Sequence, residues 1–164
     1  MKSLMVGIAI ALAGATAAQA TDAGNDQSFV TQVGQGGAAE VELGKTAQMQ
    51  GMRDAVKQFG KQMVTDHTAA GEALARAAKA DGLTVPAAPS ASQKATGDQM
   101  KAMKGTAFDD AYATAMVKDH KETIALFETE ATSGQSANVK AFAEKTLPTL
   151  RAHLKMAEGL SASK

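Results

Sequence analysis

The sequence predicts an all-α fold, a four-helix bundle built from two antiparallel helical hairpins joined by a long crossover. Three observations carry that expectation. Four segments repeat their apolar residues every three or four positions, the spacing of one face of a helix. The 164 residues include no Trp, one Tyr and five Phe, so the core must come mainly from Ala, Leu, Val and Met, which suit packed helices better than a sheet. Short gaps separate the first segment from the second and the third from the fourth, whereas about 25 residues lie between the two pairs, too many for a simple bundle turn.

Ahead of the bundle, Met1-Lys2 is followed by an apolar run from Leu4 to Ala20 that ends in Ala18-Gln19-Ala20. Residues 1–20 therefore read as a cleavable bacterial signal peptide, the mature chain starting near Thr21 in the periplasm. The polar stretch 21–27 is expected to be a disordered N-terminus, and 161–164 a C-terminal tail. As a membrane anchor the run is short and rich in Ala and Gly, so no stable membrane insertion is expected after cleavage. The chain has no Cys, which excludes a lipoprotein signal and any disulfide and leaves packing or a bound ligand to stabilise the fold. Without Lys2 the bases number one fewer than the acids, so no basic surface invites nucleic acid, and a protein partner is unknown.

The bundle domain spans 28–160. Its first helix, 28–49, places Phe29, Val33, Gly36, Glu40, Leu43 and Ala47 on one stripe, with Asp26 or Ser28 as cap. The second, 52–80, carries Val56, Phe59, Met63, His67, Ala70 and Leu74, and Asp81-Gly82 stops it. The third, 108–131, carries Phe108, Tyr112, Met116, His120, Ile124 and Phe127, and Ser133-Gly134 stops it. The fourth, 137–160, carries Val139, Ala143, Leu147, Leu150, His153, Ala157 and Leu160, with Pro148 predicting a kink or break near 144–146. The linker 83–107 holds Pro86 and Pro89, a polar stretch and a short helix near 93–103, and is expected to be mobile and open to proteases. At ~3.3 Å per extended residue it can run the length of the bundle, which gives the ferritin-like topology. Met63-Val64-Thr65-Asp66-His67 matches Met116-Val117-Lys118-Asp119-His120, and Val56-Lys57-Gln58-Phe59 matches Val139-Lys140-Ala141-Phe142, but at different offsets, so one packing solution is used twice without a clean duplication.

All three histidines of the chain lie on these apolar stripes, and so does Glu40. One such residue falls on each helix: Glu40, His67, His120 and His153. At ~1.5 Å per residue all four lie in a central band of two or three helical turns. Three imidazoles and a carboxylate there form a competent metal set for one transition-metal ion, zinc, copper or iron, with Asp66, Asp119, Glu42 or Glu128 available as outer partners. The same residues could instead satisfy one another as a buried polar network without metal. Asp66 and Asp119 each adjoin a His in sequence, and helix neighbours do not face each other, so both could point to solvent or to another helix.

No Glu-x-x-His occurs, so ferritin-type iron oxidation is not expected. Seven methionines, Met49, Met52, Met63, Met100, Met103, Met116 and Met156, read as flexible packing, with Met100 and Met103 the one pair suited to copper. Gly34, Gly36 and Gly37 would either let a neighbour approach or loosen the helix; with no preceding strand they are not a phosphate loop. No nucleophile signature marks a catalytic residue, and no residue reads as binding an organic cofactor.

The chain resembles the bacterial exported family called domain of unknown function 4142, related to ferritin-like bundles. The residues that carry the resemblance are Ala39-Glu40-Val41 with Gly44 and Ala47, Met63-Val64 with Asp66-His67, Phe108-Asp109 with Ala111-Tyr112, Met116-Val117 with His120, and Leu147-Pro148 with Leu150 and His153-Leu154. Gly60 stands where the family pattern has Ala, a departure expected to loosen the second helix. The resemblance implies the fold and an exported location, but no activity. The expected function is thus a metal-binding or stress-protective module rather than an enzyme. The competing readings are a structural or interaction protein whose His/Glu network only packs, and an oxidoreductase with a redox metal in the same pocket.

Overall fold

The computed structural model describes the backbone of residues 16–162 and side chains from residue 25. Among the described residues the chain is all-α, with five helices and no strand: α1 (Thr16–Gln50), α2 (Asp54–Ala80), α3 (Ala91–Ala102), α4 (Gly105–Ser133) and α5 (Ala137–Ala162). Residues 1–15 of the expected signal peptide and the last two residues of the expected tail lie outside the described residues. No described helix is long and apolar enough to cross a membrane.

The helix ends follow from local chemistry. α2 stops where Asp81-Gly82 was expected to stop it: Gly82 takes φ +73°, and the Leu83 amide reaches back to the Ala78 carbonyl at 2.7 Å. α3 opens on a capping box in which Ser90 accepts from the Gln93 amide and the Gln93 side chain accepts from the Ser90 amide. The amides at and just before the start of α5 are capped from other elements. Asp26 accepts from Gln135 and Ser136, and Asp81 accepts from Asn138 and Val139, each at 2.9 Å. Carboxylates there also meet the positive end of the helix dipole.

Several expectations are corrected. The first helix starts at Thr16 and not at 28, so the stretch 21–27 is helical rather than disordered, and Asp26 is buried as a cap for α5 instead of for its own helix. α5 runs unbroken through Pro148. The carbonyl of Glu144, which Pro148 cannot donate to, belongs to an exposed residue where water can serve it. Much of the linker is built structure: Gly97 and Met100 of α3 are buried, Met100 joins the core cluster of Leu43, and Gln50 reaches the carbonyls of Met100 and Met103. Met103 is exposed, so the Met100/Met103 pair does not share one environment. Gly60 tightens rather than loosens: a Cβ there would lie 2.7 Å from the Gly44 carbonyl oxygen, and one on Gly44 equally close to that of Gly60. The α1 and α2 backbones touch at this point because neither residue has a side chain.

α1 packs on α2 and α4 on α5, with α2 also meeting α5 and α1 meeting α4 and α3. The apolar interior divides into two clusters. One holds Leu43, Phe59, Met63, Phe108, Tyr112 and Met116, with Ala157 and Leu160. The other holds Phe29, Leu74, Phe127, Val139, Phe142 and Leu150. Glu40, His67, His120 and His153 stand at the boundary on α1, α2, α4 and α5, one cluster on each side of them along the chain. The fold therefore brings the four polar positions into one layer.

Candidate metal centre

The three imidazoles form a nearly equilateral triangle. Ring centroids are 5.8 Å apart for His67 and His120, and 5.4 Å for each of the other two pairs. Each ring offers one nitrogen within 4.8 Å of those of the other two. His120 and His153 are buried, and His67 is nearly so.

Hydrogen bonding fixes how two of these rings present themselves. His120 Nδ1 lies 2.9 Å from the Met116 carbonyl; a carbonyl only accepts, so Nδ1 carries the proton and Nε2 keeps its lone pair. His153 Nε2 lies 2.8 Å from Asp66 Oδ2. That carboxyl is held below its usual range: burial would raise it, but hydrogen bonds from Gln62 and His153 outweigh burial. It therefore accepts, and His153 Nδ1 keeps its lone pair. Both lone-pair nitrogens, His120 Nε2 and His153 Nδ1, are buried without a hydrogen-bond partner. His67 Nε2 lies 2.5 Å from Glu40 Oε2 but out of line for a hydrogen bond.

Glu40 sits beside the triangle rather than completing it. Its Oε1 is 3.6 Å from His120 Nδ1, and it joins Asp119 and His120 in a second group of potential ligands within 4.8 Å. Burial would raise the Glu40 carboxyl, yet the His67 ring, a hydrogen bond from Asp119 and the His120 ring hold it far below the carboxylate range. The complement appears on Asp119, pushed up to about 8 by burial first and then by its hydrogen bond to Glu40 and the charge there. The two carboxyls thus share a proton, with Asp119 as donor. His67 is raised because Glu40 outweighs burial, while burial and the two neighbouring rings lower His153 against Asp66.

Of the outer partners expected from sequence, Asp66 orients His153 and Asp119 supports Glu40. Glu42 and Glu128 do neither: they pair at the surface with Lys101 and Arg151. The sequence reading left open where Asp66 and Asp119 point, because they are turned away from the adjacent His of their own helix. Asp66 serves a histidine on α5, and Asp119 a glutamate on α1. Only the pairing of helices in space reveals such partners.

A partly open cavity of about 550 Å³ adjoins the centre, with Glu40, His67 and Asp119 in its wall and Leu74, Phe127 and Leu150 further along. Gly34, Gly36, Gly37 and Gly71 line it too. Gly34 is where the linker seats, since a Cβ there would lie 2.7 Å from Val85.

No curated protein and no solved structure matches the chain. The family described as Domain of unknown function (DUF4142) matches residues 11–160, nearly the whole chain including all four polar positions, and the protein belongs to that family.

Proposed function

We propose that this is an exported bacterial protein of the periplasm that works as a metal-binding or stress-protective module, holding one transition-metal ion on His67, His120 and His153 with Glu40 at the edge of the site. The observation that carries the reading is the pair of buried imidazole lone pairs without partners. Leaving a polar atom unsatisfied in a core costs about 1–3 kcal/mol, and buried polar networks normally leave no such atoms. Here the opposite nitrogen of each ring is anchored, one by a carbonyl and one by a carboxylate. That is the support a metal-ligating histidine has. Imidazole nitrogens suit zinc, copper and iron, and a bound ion would supply Lewis acidity or, for copper or iron, electron transfer.

The ferritin-like arrangement belongs to the same proposal. Gly44 meets Gly60 while Gln27 meets Thr84, and Lys121 meets Glu158 while Arg151 meets Glu128. Partner numbers fall as numbers rise, which supports two antiparallel hairpins. Asp66 with His153 and Asp81 with Asn138 repeat the pattern between α2 and α5, as an up-down-down-up bundle with a long crossover requires. Export rests on the N-terminal apolar run and its Ala18-Gln19-Ala20 site.

Metal analysis tests the reading. Purified mature protein equilibrated with zinc and then desalted should retain about one ion per chain, and retention should weaken as pH falls through the histidine range because protons compete for the imidazoles. His120→Ala should abolish it, whereas Glu72→Gln, on the exposed face of α2, should not. Wild type that takes up no zinc or copper, with His120→Ala losing only stability, would leave a buried polar network in a structural module. The close Glu40–His67 contact is the observation that favours this second reading.

A further inference from the structure

The large apolar side chains that this fold leaves open to solvent are all of one kind. Among the described residues they are Met49, Met52, Met103 and Met156, with Met49 80 % exposed. No Leu, Ile, Val, Phe or Tyr with a described side chain is exposed. Met63 and Met116, by contrast, fill the core, as flexible apolar side chains do. What the exposed residues share is therefore the thioether and not apolar bulk, which a branched side chain would give equally.

Three of them gather at one corner of the bundle. Met49 lies in the last turn of α1, Met52 in the connection to α2, and Met103 directly after α3. Gln50 ties α1 to the end of α3, its Nε2 donating to the carbonyls of Met100 and Met103, each at 3.4 Å. The Met52 amide donates to Asp109 at 2.9 Å. The Met52 methyl carbon lies 3.6 Å from where a Cβ on Gly105 would stand, just beyond Met103. Met49 follows Glu42 by two helical turns and so shares its face of α1, the face on which Glu42 meets Lys101 of α3 at 3.8 Å. The pair singled out in the sequence, Met100 and Met103, is thus replaced by a set that only the docking of α3 on α1 brings together.

We propose that Met49, Met52 and Met103 form a surface site for Cu(I). Thioethers are soft, neutral ligands that suit Cu(I), whereas calcium and magnesium prefer oxygen, and the chain has no Cys to compete for the ion. The rotatable bonds of Met let exposed sulfurs converge without backbone movement, and the bonds of Gln50 and Asp109 already hold the three segments in place. The lysines nearby are engaged, Lys104 with Gln50 and Lys101 with Glu42 and Asp98. At ~1.5 Å per residue Met49 is about 13 Å along α1 from Glu40, with the apolar cluster of Leu43, Phe59 and Met63 between. The site is therefore separate from the histidine centre; the inference goes beyond that reading and stands without it.

NMR of protein labelled at the methionine methyls, titrated with Ag(I) as an air-stable stand-in for Cu(I) in chloride-free buffer, tests the proposal. The signals of Met49, Met52 and Met103 should move together and saturate at one midpoint, while those of Met63 and Met116 stay. Met52→Leu and Met103→Leu should each weaken Ag(I) at this site at least about tenfold, a difference of about 1.4 kcal/mol, with helix content and zinc uptake unchanged. Met156→Leu is the control, since α5 packs on α2 and α4 and not on α3; it should leave the affinity as it is. Anaerobic Cu(I) bound to the His120→Ala variant should show a sulfur shell in X-ray absorption. Methyl signals that stay put or move with separate midpoints, Ag(I) affinity unchanged in both leucine variants, or a Cu(I) shell without sulfur overturns the proposal. Zinc retention without the methyl response overturns this inference alone, and the methyl response without zinc retention overturns the histidine centre alone.

Discussion

Replacing Gly60 by Ala tests the closest contact in the fold. A Cβ at this position would stand 2.7 Å from the Gly44 carbonyl oxygen, 2.8 Å from the Ala47 Cβ and 3.3 Å from the Gln48 amide nitrogen. None of these is the end of a flexible side chain, so α1 as a whole must move. Ordinary contact begins at 3.4 Å, so the helices must part by about 0.7 Å, an overpacking strain worth about 1–3 kcal/mol. Against this, Ala is favoured over Gly inside a helix by about 0.8–1 kcal/mol. The strain offsets that gain and, where it acts in full, exceeds it by about 2 kcal/mol. For a domain of this size a loss of that order lowers Tm by roughly 4–8 °C. Gly71→Ala is the control, because a Cβ there would meet nothing within 4 Å; it keeps the propensity gain and should raise Tm by about 2–4 °C. Both follow from thermal melts monitored by circular dichroism at one pH. Equal stabilisation by the two variants would refute the close approach of α1 and α2.

Three further outcomes are expected. Asp109→Asn should lower stability by about 2–4 kcal/mol at pH 7, because the buried Asp109 carboxylate accepts from the amides of Met52 and Arg53 and from the Arg53 side chain; burial would raise that carboxyl but these donors hold it low, so the stabilisation is present above the ordinary carboxyl pKa near 3.8 and should vanish in melts as pH falls below it. Glu130 behaves oppositely: burial and then Asp26 push it up to about 7, so stability falls as pH rises from about 4.5 to about 7, and Glu130→Gln should melt higher than wild type at pH 8 with the gap closing by pH 4. N-terminal sequencing of protein released from the periplasm without detergent should begin near Thr21, and an intact Met1 in a membrane pellet would contradict export.

The four long helices were legible because apolar periodicity and Gly stops are local signals. The polar layer was legible for the same reason, each of its members replacing an apolar residue in a stripe. What the sequence could not carry is whatever depends on one helix meeting another. Asp26 reads as a helix cap or a disordered residue until α5 is placed beside it, where its buried carboxylate accepts from the amides that lead into that helix. The glycines are the sharper case. Gly34, Gly44 and Gly60 make room for a linker or a second backbone, whereas Gly36, Gly37 and Gly71 make room for a cavity. Sequence offers the same residue type for both uses. Pro148 shows the reverse error, a strong local signal for a break that a solvent-exposed turn of α5 absorbs.

The ligand set itself is the central claim, and X-ray absorption of the zinc-loaded protein addresses it most directly. The account predicts a first shell with three imidazole nitrogens at about 2.0–2.1 Å, with the multiple scattering that imidazole rings produce, and loss of that scattering when His120 is replaced by Ala. A shell of oxygen atoms without imidazole scattering, or one unchanged in the His120→Ala variant, would contradict it.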